Sequence, residues 1–134
     1  MVYEEIRVAI DHDADVVSAR QKGRALAAQI GFSGSDLTLI ATAISEIARN
    51  IVVYAERGEI TLDAVERDGK VGVRVVACDE GPGIPDVDKA MQDGFTTGKS
   101  LGLGLPGARR LVDEFEIVSG VGKGTTITMR KWKR

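Results

Sequence analysis

Hydrophobic positions along the chain change period several times, and each change marks an element. Residues 3–10 (Tyr-Glu-Glu-Ile-Arg-Val-Ala-Ile) alternate polar and apolar near their middle, which predicts a strand with one solvated face. Val16, Ala19, Gly23, Leu26, Ala27 and Ile30 then recur at helical spacing, with Asp13 or Asp15 placed to cap that helix and Gly31 to stop it. Ser33-Gly34-Ser35-Asp36 is a second turn and cap cluster. It precedes a longer apolar stripe through Leu37, Ile40, Ile44, Ile47, Ile51 and Ala55, and Gly58 closes the unit. From 59 to 79 the period becomes two, with Asp68-Gly69 between the two runs, a strong hairpin signal. A short helical interlude is predicted near 87–91. Pro106 stands where a helix takes its first residue, and Ala108, Leu111, Val112 and Phe115 supply that helix's inner face. Two strands, 116–119 and 125–132, close the chain around Gly120-Val121-Gly122-Lys123-Gly124. The order β-α-α-β-β-loop-α-β-β implies an α/β fold. It is an α+β two-layer sandwich, with helices on one face of a mixed, mostly antiparallel sheet. No internal repeat or long linker divides residues 1–134, so one domain is expected.

Composition mainly excludes. Lys plus Arg number 18 and Asp plus Glu 20, a net charge of −2, so no global basic field argues for nucleic acid or an anionic membrane. The basic end, Arg130-Lys131-Trp132-Lys133-Arg134, reads as a solvated terminus with Trp132 as a packing or edge residue. The single cysteine, Cys78, rules out an internal disulfide framework and a cysteine-based zinc site, and reads as a buried small hydrophobe on a strand. The single histidine, His12, lies among Asp11, Asp13 and Asp15, which argues against a Ser-His-Asp triad. No apolar run approaches the roughly 18 residues of a membrane span, and the start carries no signal-peptide pattern. A soluble cytoplasmic protein is expected.

One number changes the picture. Gly occurs 16 times, and Gly81, Gly83, Gly94, Gly98, Gly102, Gly104, Gly107, Gly120, Gly122 and Gly124 crowd one stretch together with all three prolines. Such a stretch is either a flexible linker or a backbone that must approach something closely. Two familiar phosphate motifs fail there. Gly102-Leu103-Gly104-Leu105-Pro106-Gly107 has the letters of G-x-G-x-x-G, but no strand leads into it. Gly98-Lys99-Ser100 lacks the P-loop's first glycine, because Asp93 stands where it belongs.

Three other pieces converge on ATP. Glu46 and Asn50 are four apart on the long helix and share a face bordering the apolar stripe. A carboxylate and an amide so placed can hold a magnesium ion and polarise a hydroxyl. Asp79-Glu80-Gly81-Pro82-Gly83 follows a strand directly, which suits an adenine pocket whose carboxylate accepts from the exocyclic amine. The stretch ending in Gly102-Leu103-Gly104 opens a helix, where N–H groups and the helix dipole favour phosphate, and Lys99 can add a contact.

In their order and spacing these pieces resemble the GHKL ATPases (gyrase, Hsp90, histidine kinase and MutL type) over essentially the whole chain. Residues 46–50 look like the N box, 79–84 the D-x-G-x-G box, Gly102 to Gly104 part of the second glycine box, and Gly124-Thr125 the last strand element. Within that superfamily the phrases Ser-Glu-Ile-Ala-Arg-Asn and Gly-Leu-Gly-Leu-Pro-Gly-Ala-Arg-Arg-Leu are most similar to the RsbT-type switch-protein serine kinases. The resemblance implies ATP and Mg2+ as cofactors, with Asn50 on the metal and Glu46 as general base. It also implies Asp79 on the adenine amine with Thr125 helping through a water, Gly81 and Gly83 at the pocket edge, and Gly102, Leu103 and Gly104 under a lid of about residues 93–101. Ser100 stands where the wider family often has Gly. Val53 replaces a basic residue common in histidine kinases, leaving phosphate charge to Lys99, Arg49 or the metal. A histidine kinase needs a dimerisation helix bearing its acceptor, so a stand-alone domain is expected to find its acceptor on another protein. By resemblance that acceptor is a serine of a STAS-domain antagonist in a stressosome, and the released kinase activates a PP2C-type phosphatase. An anti-sigma factor kinase and a non-catalytic nucleotide-dependent binding module are the rival readings.

Overall fold

A computed structural model of the chain describes residues 5–83, 91 and 104–133. Its elements are β1 (Ile6–Ile10), α1 (Asp13–Gln29), α2 (Ser35–Tyr54), β2 (Gly58–Arg67), β3 (Lys70–Asp79), α3 (Gly104–Leu111), β4 (Glu114–Gly120) and β5 (Gly124–Trp132). Strand order is β1-β2-β3-β5-β4. Every pairing among the described residues is antiparallel, so the sheet is not mixed. Of the expected helix at 87–91 only Met91 is described, and it is buried.

Alternation builds the core. Ile60 and Leu62, Val73, Val75 and Ala77, and Ile127 and Met129 face inward from the three central strands. Ile40, Ile44, Ile47 and Ile51 of α2 pack into the same cluster, joined by Val16, Leu26 and Ala27 of α1. The helices therefore lie on one face. By length and composition alone α2 is apolar enough to cross a membrane, but half of its apolar window is buried inside the protein, where its isoleucines cover the sheet.

Local details differ from the sequence reading in instructive ways. His12, not an aspartate, is the N-cap of α1, and Asp15 reaches back so that the Asp11 and His12 N–H groups donate to its Oδ2 at 2.8 and 3.0 Å. Those two bonds hold its carboxyl below the usual range. Pro106 is the third residue of α3, a position whose N–H has no partner within the helix. Val112 and Phe115 pack on the core from beyond that helix, Phe115 from β4. Cys78 is exposed, because the inward set runs Val73, Val75, Ala77, Asp79 and leaves it on the open face beside Thr126 Oγ1 at 3.6 Å.

Arg130, Lys131 and Trp132 of the basic segment belong to β5, not to a loose terminus. Trp132 crosses β3 at Gly72, where a Cβ would lie 2.8 Å from the indole ring. Its Nε1 donates to Glu114 Oε2 at 2.8 Å, and the Arg67 guanidinium stands 4.8 Å from its ring centre while pairing with the same carboxylate at 2.6 Å. The Trp132 hydrogen bond, then that of Arg67, holds the Glu114 carboxyl below its ordinary value. A depressed folded-state pKa stabilises above the unfolded value and is lost as pH falls through the carboxylate range. The melting temperature of the wild type is therefore expected to fall more steeply between about pH 5 and pH 3 than that of Glu114→Gln. Parallel curves in a pH series of thermal melts would remove Glu114 as a source of acid sensitivity.

Candidate nucleotide and phosphoryl-transfer site

Asp79 ends β3, between Gly58 of β2 and Thr125 of β5. The period of two turns it inward with Ala77, so it is only 9% exposed although charged. The Gly81 N–H donates to its Oδ1 at 2.9 Å, which folds the chain back over the strand end. A side chain at Gly81 would lie 2.6 Å from Ala55 Cβ, so the segment passes tightly over the end of α2. Gly83 has φ +81°, and a Cβ there would run into the Gly120 carbonyl. The Gly122 N–H donates to Pro82 O at 2.9 Å. Residues 81–83 are thus fixed between the end of α2 and the β4–β5 turn, which fits a pocket edge.

Thr125, 5% exposed, stands directly across from Asp79 and also across from Ser119 of β4. The Ser119 Oγ is 2.7 Å from Thr125 Oγ1 and 3.1 Å from the Gly124 carbonyl. A carboxylate and two hydroxyls therefore form one row across three strands. Ser119 is the residue that sequence reasoning misses, since its place depends on the register that the β4–β5 turn imposes.

The second half of the site lies where α2 meets α3. Glu46, 8% exposed, projects from α2 so that its Oε2 receives the Gly104 N–H at 3.1 Å, at the start of α3. Its Oε1 receives Arg49 Nη1 at 3.3 Å from one turn on. Arg49 is thereby paired with Glu46 while its side chain remains partly exposed. Asn50 is half-buried on the same helix, toward the end that carries Ala55. A helix N-terminus holding a carboxylate is already behaving as an anion acceptor. A buried carboxylate at the end of β3 can accept from a donor such as an amine, and a helix N-terminus can receive an anion, so the two ends of α2 each carry a group able to hold one part of a polar ligand. Asn50, Glu46, Asp79, Gly81, Gly83, Gly104 and Thr125 are all placed on these elements, whereas Lys99, Gly102, Leu103 and the lid at 93–101 lie outside the described residues.

Comparison with known proteins gives the family. Residues 11–131 match the family described as the histidine kinase-like ATPase domain. The chain is 50% identical over 127 residues to the serine/threonine-protein kinase RsbT of Bacillus subtilis (strain 168), covering 95% of this chain and 96% of that one. It is 38% identical over 120 residues to an anti-sigma F factor of Caldanaerobacter subterraneus subsp. tengcongensis, covering 85% of this chain and 82% of that protein. A solved structure of the RsbU and RsbW domains of Rv1364c from Mycobacterium tuberculosis superposes on 98% of this chain and 34% of that one, with a TM-score of 0.66 at 25% identity. The chain belongs to the histidine kinase-like ATPase domain family, in its serine/threonine-protein kinase branch.

Proposed function

We propose that the chain phosphorylates a serine on a STAS-domain antagonist or scaffold protein of a stressosome-type partner-switching pathway in the cytoplasm, and that once released it activates a PP2C-type phosphatase. The observation that carries the reading is Glu46: a buried carboxylate, oriented at both oxygens, at the mouth of a helix N-terminus. A group so held is placed to take the proton of an incoming hydroxyl while N–H donors and the dipole of α3 favour the phosphate beside it. Bound ATP with Mg2+ supplies the phosphoryl group and neutralises charge on the phosphates. Asn50 would hold the metal. Among the described residues no three of His, Cys, Asp and Glu cluster as a cage, so the ion would take most of its ligands from phosphate and water. Asp79, with Thr125, would hold the base, and Gly81 and Gly83 would shape the pocket edge. Lys99, Gly102 and Leu103 are assigned to the phosphates by resemblance.

Identity to RsbT, a serine/threonine-protein kinase, supports the acceptor class. The test is transfer of radiolabel from ATP onto purified STAS-domain proteins encoded nearby. Labelled phosphoserine on one of them is expected, and no label on any would overturn the assignment of acceptor. The identity to an anti-sigma F factor favours a second reading, a kinase that holds a sigma factor directly. Dimer formation together with sigma-factor capture would select that reading.

A further inference from the structure

With Glu46 read as the group that takes the acceptor's proton, whatever fixes its carboxylate decides how well it can do so. Its Oε2 receives the Gly104 N–H at 3.1 Å, from backbone at the start of α3. Its Oε1 receives Arg49 Nη1 at 3.3 Å. The last torsion of a glutamate side chain has no sharp staggered wells, so a carboxylate tied at one oxygen alone pivots about that bond. A second donor on the other oxygen stops the pivot. Arg49 is therefore half of what sets the plane of the carboxylate.

The same contact does little for the fold. The Arg49 side chain is 43% exposed, and a pair with one partner so open to solvent contributes only about 0–1 kcal/mol of stability. Among the described residues Arg49 makes no other hydrogen bond or ion pair, although a guanidinium carries five N–H donors. Its one contact is with the buried carboxylate three residues back on α2. Small in stability, such a contact is large in geometry, since a catalytic group displaced by about 1 Å can lose 10²-fold in rate.

We propose that Arg49 is the positioning residue of the phosphoryl-transfer base: its hydrogen bond to Oε1, with that of Gly104 to Oε2, fixes the Glu46 carboxylate in the plane that meets the acceptor hydroxyl. Arg49 acts through Glu46 and holds neither phosphate nor acceptor.

The experiment follows radiolabel transfer from ATP to a STAS-domain acceptor, together with the Kd of ATP and the melting temperature. The proteins are wild type, Arg49→Met, Arg49→Lys, Glu46→Gln and the double variant Arg49→Met/Glu46→Gln. Methionine keeps an unbranched stem without a donor, and lysine keeps one charged donor. For Arg49→Met, kcat is expected to fall roughly 10²-fold. Its Kd for ATP should stay within about threefold of wild type, the worth of an exposed pair. Arg49→Lys should bring kcat back to within about tenfold of wild type, because Oε1 receives a single N–H. In the double variant the methionine should add nothing to the loss from Glu46→Gln, as for two residues that act as one unit. The single variants decide where the residual rate of Glu46→Gln is too low to fall further. A wild-type kcat in Arg49→Met, or a lysine variant as slow as the methionine one, overturns the proposal. So does a full further loss in the double variant, or ATP binding weakened more than about tenfold at an unchanged melting temperature, either of which makes Arg49 a phosphate ligand instead. Glu46→Gln transferring like wild type removes the base, and the proposal with it, whereas failure of Arg49→Met alone to slow transfer leaves the base standing. Where no acceptor protein is labelled, release of phosphate from ATP to water is measured in the same variants, and a wild type that neither transfers nor hydrolyses ends both readings.

Discussion

Asp79→Asn is expected to abolish ATP binding at concentrations that saturate the wild type. The substitution changes neither shape nor the Gly81 hydrogen bond, since an amide oxygen can receive that N–H at the place Oδ1 now does. What changes is the second oxygen, which becomes an NH2 group. The pocket then presents a donor to the amine it has to accept from. Loss of a charge-assisted hydrogen bond costs about 1.5–3 kcal/mol. A buried mispaired donor adds a comparable penalty, so affinity should drop by roughly 10³-fold. Calorimetric titration reads the loss, and a melting temperature close to wild type shows that the fold survived. ATP binding within tenfold of wild type would take Asp79 out of base recognition.

Glu46→Ala should bind ATP yet fail to transfer its phosphoryl group. General-base catalysis contributes about 10²–10⁴ in rate, so phosphorylation of the acceptor protein should fall by that factor. Binding is expected to hold because Glu46 is an anion beside the phosphate end of the site. Its removal leaves the Gly104 N–H free to donate elsewhere and lifts a like charge from the pocket. Arg49 loses its partner too, but it is 43% exposed and can be solvated. Glu46→Gln separates geometry from basicity, since it keeps an acceptor for Gly104 while lacking a usable lone pair of carboxylate strength. Equal loss of transfer in both variants supports the base. Unchanged phosphorylation in Glu46→Ala would end that role.

Much of this architecture is legible in the sequence, for reasons that differ between elements. The α2 stripe is readable because five helical turns repeat one signal, and the β2–β3 hairpin because Asp68-Gly69 interrupts two runs of period two. Glu46, Asn50 and Asp79 are readable because their neighbours share those elements. Cys78 was within reach: continuing the inward positions Val73 and Val75 by twos gives Ala77 and Asp79, and so puts Cys78 outside. Val76 obscures that parity by adding an apolar residue on the open face. The contact between Glu46 and Gly104 joins positions 58 apart, and no local spacing encodes it. Ser119 is hidden for the same reason, since the residue facing Thr125 is fixed by how many residues the β4–β5 turn consumes. The cap of α1 misled because a cap is chosen by backbone geometry as much as by residue type, and His12 took a position that aspartate could have filled, whereas the N-cap of α2, Gly34, lies within the predicted cluster.

The single tryptophan has a practical meaning for anyone who studies the protein by fluorescence. Trp132 and Thr125 sit on the same strand seven residues apart, which is about 23 Å at the usual rise. The indole is bonded to Glu114 and covered by Arg67 at the far end of the sheet from Asp79. Its emission is a gauge of whether β2, β4 and β5 still meet there, and so follows unfolding. It is blind to an adenine ring entering the pocket, so a nucleotide titration needs a labelled ligand or heat, and any change in tryptophan emission on adding ATP reports a rearrangement carried down the length of the sheet.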